Sequence, residues 1–160
     1  MYNYFMKALI VVDYQYDFAD PKGSLYWPEG ETLKDGIEKK VKEYRENNLP
    51  VVYTMDWHPE NHCSFDIWPP HCVQNTRGAE ILLDLNQADY IVKKGVEVDW
   101  DSYSGFNRQS DAQPLEDWLK EHNVDEVEVC GLVKQYCVDA TYQDALKHGF
   151  KATIIEELVK

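Results

Sequence analysis

The chain has 160 residues and a net charge of −13, with 44% hydrophobic and 13% aromatic residues. That length suits one domain burying roughly two thirds of its unfolded surface, and the apolar content excludes global disorder. The acidity excludes a nucleic-acid partner and an anionic membrane surface, which need a basic footprint, and no apolar run nears the ~20 residues of a spanning helix.

The opening, MYNYFMKALIVV, lacks a signal peptide's basic n-region and cleavage site. The expected compartment is therefore the cytosol, where the four cysteines (63, 72, 130 and 137) stay thiols. KALIVVD, ending in Asp13, is a continuous apolar run and reads as a strand buried on both faces. A loop from Tyr14 to Gly30 contains DPKG and WPEG. Glu31 to Asn47 reads as a helix, because Leu33, Ile37, Val41 and Tyr44 recur at helical spacing. PVVYTMD (50–56) is a second buried strand and ADYIVKKG (88–95) a third. PLEDWLKEH (114–122) reads as a helix, DEVEVCG (125–131) as a strand, and YCVDATYQDALKHG (136–149) as a helix closed by Gly149. FKATIIEE (150–157) is a fifth strand. Such alternation implies right-handed βαβ crossovers, hence an α/β fold with a mostly parallel sheet and helices on both faces. The expectation is a single domain over residues 1–160, short of the C-terminal helix this architecture would normally add.

Ligands of open parallel sheets sit beyond the carboxyl ends of the strands. Asp13, Asp56, Lys94 and Cys137 all leave the sheet at that edge. Cys137 falls at or near a helix start, where free N–H groups and the helix dipole favour a thiolate, which a lysine would stabilise further. An aspartate there is placed to take and return the proton. Cys130 lies within the strand and reads as core. Lys93 and Lys94 alternate in direction, and parity alone does not choose between them.

The segment DWHPENHCSFDIWPPHC (56–72) concentrates three histidines, two cysteines and two tryptophans. Asp56, His58 and His71 offer one carboxylate and two imidazoles, a set suited to zinc, iron or manganese. His62, Cys63 and Cys72 are alternatives, and a closed structural zinc using those cysteines competes with a catalytic or substrate-positioning metal. Trp57 and Trp68 offer flat walls for an aromatic substrate.

Taken together, IVVDYQYDF, DWHPENHCSF, WPPHCVQNTRGAEI, VKKG, YSGF and VCGLVKQYCVDATYQDAL resemble the nicotinamidase (pyrazinamidase) branch of the isochorismatase-like hydrolases, in order and from about Lys7 onward. The resemblance implies a Rossmann-like three-layer α/β/α fold. It implies a cytoplasmic enzyme of NAD salvage that hydrolyses nicotinamide, or pyrazinamide, through a thioester on Cys137. Asp13 and Lys94 match the family's other catalytic residues, and the lysine directly before glycine resolves the parity. Asp56, His58 and His71 match its ligands for one divalent metal ion, zinc first, iron or manganese otherwise, with His62 the nearest candidate for a further ligand. Phe18, Trp68 and Tyr103 match its substrate-binding aromatics. A cis peptide is implied at Leu132–Val133, with the Val133 and Cys137 N–H groups forming an oxyanion hole. The chain departs from the family in reading Val133-Lys134-Gln135 where a small residue and Thr-Asp commonly precede the aromatic, and in a short segment between His58 and His71. Homo-oligomer formation stays open. The alternatives are another amidohydrolase of this fold acting on a different small amide, an isochorismatase, and a non-enzymatic binding domain.

Overall fold

The computed structural model describes residues 5–107 and 112–160, so the first four residues of the opening fall outside it. Five strands form one sheet in the order β3-β2-β1-β4-β5: β1 (Met6–Val12), β2 (Val51–Asp56), β3 (Tyr90–Lys94), β4 (Val124–Gly131) and β5 (Lys151–Val159). Every neighbouring pair runs parallel. The central strands have no solvent face, so they are apolar throughout rather than alternating: β2 is buried at all six positions.

Alternation along β1 sorts the core into two layers. Leu9 and Val11 face α2 (Lys34–Glu46), which contributes Ile37, Val41 and Tyr44. Ala8, Ile10 and Val12 face the opposite side, where α3 (Leu115–Glu121) and α4 (Asp139–Lys147) bring Leu115, Trp118, Leu119 and Ala145. Each of the larger apolar side chains among them contributes about 1.5–3 kcal/mol through burial. Two segments differ from the sequence reading. The loop after β1 contains one helical turn, α1 (Tyr16–Ala19). The helix expected from Tyr136 begins instead as a π-helical turn, Lys134–Val138, before α4. The cis peptide stands at Leu132–Val133.

Strand register positions the site. Val12 pairs with Thr54 on one side and Gly131 on the other, and Asp56 pairs with Lys94. The carboxyl ends of β1 to β4 therefore form one row.

Candidate active site

Asp13 follows β1 with a left-handed backbone (φ 48°), a conformation costly for a residue with a side chain and one that clusters at functional sites. Its N–H reaches both the Thr54 carbonyl (3.1 Å) and hydroxyl (3.2 Å), and that hydroxyl donates to Asp13 Oδ1 at 2.7 Å. Lys94 ends β3 fully buried and donates to Asp13 Oδ2 and the Tyr103 carbonyl, both at 2.7 Å, with Asp56 Oδ1 at 3.4 Å. Lys93 points the other way and lies over the Trp57 ring at 4.4 Å, which decides the parity in favour of Lys94. Burial pushes the Lys94 ammonium down, but Asp13, Cys137 and Asp56 outweigh it and hold the proton on. Burial, with the Asp56 charge, raises Asp13 against the pull of Lys94. An aspartate so placed is a stronger base than one in water.

Asp56, His58 and His71 bring one ligand-capable atom each within 4.8 Å of one another. His58 Nδ1 donates to the Gly95 carbonyl and His71 Nδ1 to the Pro69 carbonyl, each at 2.8 Å. Both Nε2 lone pairs are thereby left for an ion, the arrangement that backbone carbonyls commonly impose on metal-ligating histidines. They lie 3.4 and 3.6 Å from Asp56 Oδ2. Among the described residues, Asp56 Oδ1 and His58 Nε2 are the buried side-chain atoms without a hydrogen-bond partner. Orphaned buried polar atoms carry a cost that a bound cation would remove. Burial pushes the Asp56 carboxyl up, yet the Lys94 charge beside it holds it well below the usual range, so it is an anion. The donor set fits a divalent metal. His62 stacks on His58 at 3.9 Å, and His58, His62 and Asp101 form a second ligand-capable group. Both His62 ring nitrogens are engaged, however, Nδ1 by Ser64 (2.6 Å) and Nε2 by the Trp100 carbonyl (2.9 Å). Neither group contains a cysteine, which removes the argument for a structural zinc on Cys63 and Cys72.

Cys137 lies in the π-helical turn, 7% exposed, across from Asp13 and Lys94. A helix start favours a thiolate, whereas burial, reinforced by the charges of Asp13 and Asp56, pushes the thiol well up despite Lys94. The resting group is therefore a thiol. Cys130 is fully buried in β4, as core.

A recess of about 480 Å³, its open mouth included, opens above these groups. Asp13, Asp56, His71, Val133 and Cys137 form its floor and sides, and Phe18, Trp68 and Tyr103 its aromatic walls. Lys94 and His58 stand behind it. Phe18 tilts against His71 at 5.5 Å, and Trp68 Nε1 donates to the Tyr103 hydroxyl at 3.3 Å. Leu25, Trp27 and Tyr136 also line the recess, and such residues, two in a loop and one at a turn, carry no chemical signal in a sequence.

Two supports are equally silent in the sequence. Gln15, fully buried, donates through Nε2 to the Asp56 carbonyl (2.7 Å) and the Ala79 carbonyl (3.0 Å), and accepts the Asp56 N–H at 2.9 Å. Asp17 accepts the N–H groups of Ser24 (3.1 Å) and Cys72 (2.8 Å), fixing the residue after His71. Positions 13, 15 and 17 thus tie the end of β1 to Asp56 and to the loop that carries His71.

The sequence profile of the isochorismatase domain matches residues 7–160. The nicotinamidase of Escherichia coli is 35% identical, over 94% of this chain and 81% of its own length. The nicotinamidase/pyrazinamidase of Mycobacterium tuberculosis is 36% identical, over 96% and 86%. The solved pyrazinamidase of Pyrococcus horikoshii, in complex with zinc, superposes with a TM-score of 0.89 at 43% identity, covering 96% of this chain and 86% of that one.

Proposed function

The chain belongs to the isochorismatase domain family, and from that premise we propose that it is a nicotinamidase, an amidohydrolase converting nicotinamide to nicotinate and ammonia in NAD salvage. The E. coli and M. tuberculosis relatives support that substrate. The observation that carries the conclusion is the convergence of Asp13, Cys137, Asp56 and His71 on one aromatic-walled recess, with Lys94 and His58 directly behind it.

Phe18, Trp68 and Tyr103 hold the pyridine ring by stacking and edge contacts. Asp56, His58 and His71 would hold a divalent ion, with zinc favoured because the Pyrococcus relative binds it. When bound, that ion supplies a positive centre that attracts the ring nitrogen. Asp13 takes the proton from the Cys137 thiol as sulfur attacks the carboxamide carbon. The Val133 and Cys137 N–H groups hold the developing oxyanion, each donor worth about 3 kcal/mol. Asp13 then gives the proton to the departing amine, the C–N bond breaks, and ammonia leaves a thioester. Asp13 next takes a proton from water, whose oxygen attacks the thioester. Nicotinate departs, and the sulfur regains its proton. Lys94 keeps Asp13 in place and balances its charge throughout. The four cysteines are free thiols, which supports a reducing compartment, and we assign the enzyme to the cytoplasm.

The test is ammonia release from nicotinamide by zinc-loaded protein, beside the Cys137→Ala variant. Wild type should turn over, and the variant should lose about a thousandfold or more while keeping its fold and its metal. Folded, loaded protein that releases no ammonia refutes the assignment, as does a variant of near-normal rate.

A further inference from the structure

A second groove lies against the outside of the recess, lined by Lys134, Gln135, Asp139, Ile154 and Lys160, and the two hollows share only Trp27 and Val133 among their lining residues. Val133 is 7% exposed and belongs to the nucleophile turn, so it cannot retreat. Trp27 is the removable part of the wall. Its backbone is pinned at both ends, the N–H donating to the Phe18 carbonyl and the carbonyl accepting the Gly30 N–H, each at 2.9 Å. Its indole meets the Tyr136 ring edge-on at 6.0 Å and 87°, and Tyr136 in turn meets Trp68 at 5.3 Å and Tyr103 at 5.9 Å. The rim is thus a chain of rings closed on its inner side by Trp27. Beyond it the groove is open and edged by charged pairs: Lys134 with Glu156 at 2.8 Å and Lys160 with Glu29 at 3.0 Å.

We infer that Trp27 is a specificity-determining residue, a partition that limits the recess to carboxamides of a single small ring and shuts out ring-extended amides by occupying the passage to the outer groove. The inference rests on the amide-hydrolase assignment above and adds the upper size limit of the substrate.

Steady-state kinetics on zinc-loaded wild type, Trp27→Ala and Trp27→Phe, with nicotinamide and its benzo-fused analogue quinoline-3-carboxamide, test it. The ratio of kcat/KM for the bicyclic over the parent amide should rise about tenfold or more in the alanine variant, chiefly through KM for the bicyclic, with phenylalanine in between. A second measurement needs no turnover: mass-spectrometric labelling of Cys137 by iodoacetamide and by its bulkier N-phenyl analogue. The bulky reagent should gain about tenfold relative to the small one in Trp27→Ala. Wild type that ignores nicotinamide refutes the assignment of activity and leaves the labelling ratio to decide the partition. A labelling ratio within about twofold of wild type in the alanine variant overturns it. Should that variant fail to fold, Trp27→Phe and Trp27→Leu carry the same two ratios, and no change in either overturns the partition.

Discussion

Lys94 is the residue on which the charge balance of the site turns. Its ammonium, without solvent contact, lies 2.7 Å from Asp13 and 3.4 Å from Asp56. Removing it leaves two carboxylates buried without a counter-charge, and breaking a buried pair this way costs about 3–5 kcal/mol. Urea unfolding of Lys94→Met should register that loss. Adding Asp13→Asn removes the nearer of the two stranded anions, so the double variant should cost clearly less than the sum of the singles; additive losses would mean the pair is not coupled. Gln15 acts differently, since it touches only the backbone of Asp56. Gln15→Leu should fold yet lower zinc affinity about 10–100-fold in competition with a chromophoric chelator, as losses around a metal's ligands do. Unchanged affinity would mean Asp56 is held by other contacts. The two residues also differ in legibility. A lysine closing an apolar strand was legible in the residues, and the family resemblance, with its lysine directly before glycine, chose Lys94 over Lys93. Gln15 was not legible, because a buried amide bracketing a distant backbone leaves no trace in local spacing.

At the scale of elements, β1 and β4 meet so tightly beside the turn that carries Cys137 that one glycine is obligatory. Gly131 has φ +110°, and a Cβ there would stand 2.2 Å from the Val12 carbonyl oxygen and 2.7 Å from its nitrogen. Those are backbone atoms of the central strand, which no rotamer change can move. Gly149, after α4, also has a left-handed backbone (φ +88°) but nothing within 4 Å of its would-be Cβ. The pair separates steric from conformational cost. Gly149→Ala should lose only about 1–2 kcal/mol, the penalty of φ alone, whereas Gly131→Ala should lose more than about 4 kcal/mol or fail to fold. Comparable thermal shifts in both would show that β1 and β4 can part. The strands themselves were legible because burial on both faces forces continuous apolar runs. The π-helical turn holding Cys137 was not, since its geometry answers to the recess wall rather than to local propensity. That difference places Cys137 in a buried π-helical turn rather than at an α-helix start, and favours the thiol over the thiolate.

The whole molecule is a sheet between two apolar layers, and its outer strands β3 and β5 extend rows whose functional ends were aligned by register rather than by sequence proximity. The layer beneath α2 contains hydroxyls and a thiol as well as hydrocarbon: Tyr14, Tyr44 and Tyr53 are each 1% exposed and Cys130 is fully buried. Tyr14 donates to the Gly30 carbonyl at 2.9 Å, Tyr53 to the Asp84 carbonyl at 3.0 Å, and Tyr44 to Glu128. Burial pushes all four above their ordinary values, Tyr53 to about 12 and the others further. In the unfolded chain they lose protons near 9.0 for the thiol and 10.0 for the phenols. The folded state therefore binds more protons than the unfolded one above those values. The stability this brings is complete below pH 9 and lost as pH rises from there toward the folded-state values. Each group that stays protonated steepens the decline by about 1.4 kcal/mol per pH unit. Urea midpoints should accordingly hold level up to pH 9 and fall between pH 10 and 11. Tyr44→Phe should flatten that fall, because its hydroxyl no longer titrates and its partner Glu128 keeps Lys7 at 3.5 Å. A midpoint that stays level to pH 11, or a Tyr44→Phe slope equal to wild type, would mean that these hydroxyls reach solvent and that the layer beneath α2 is looser than its packing implies.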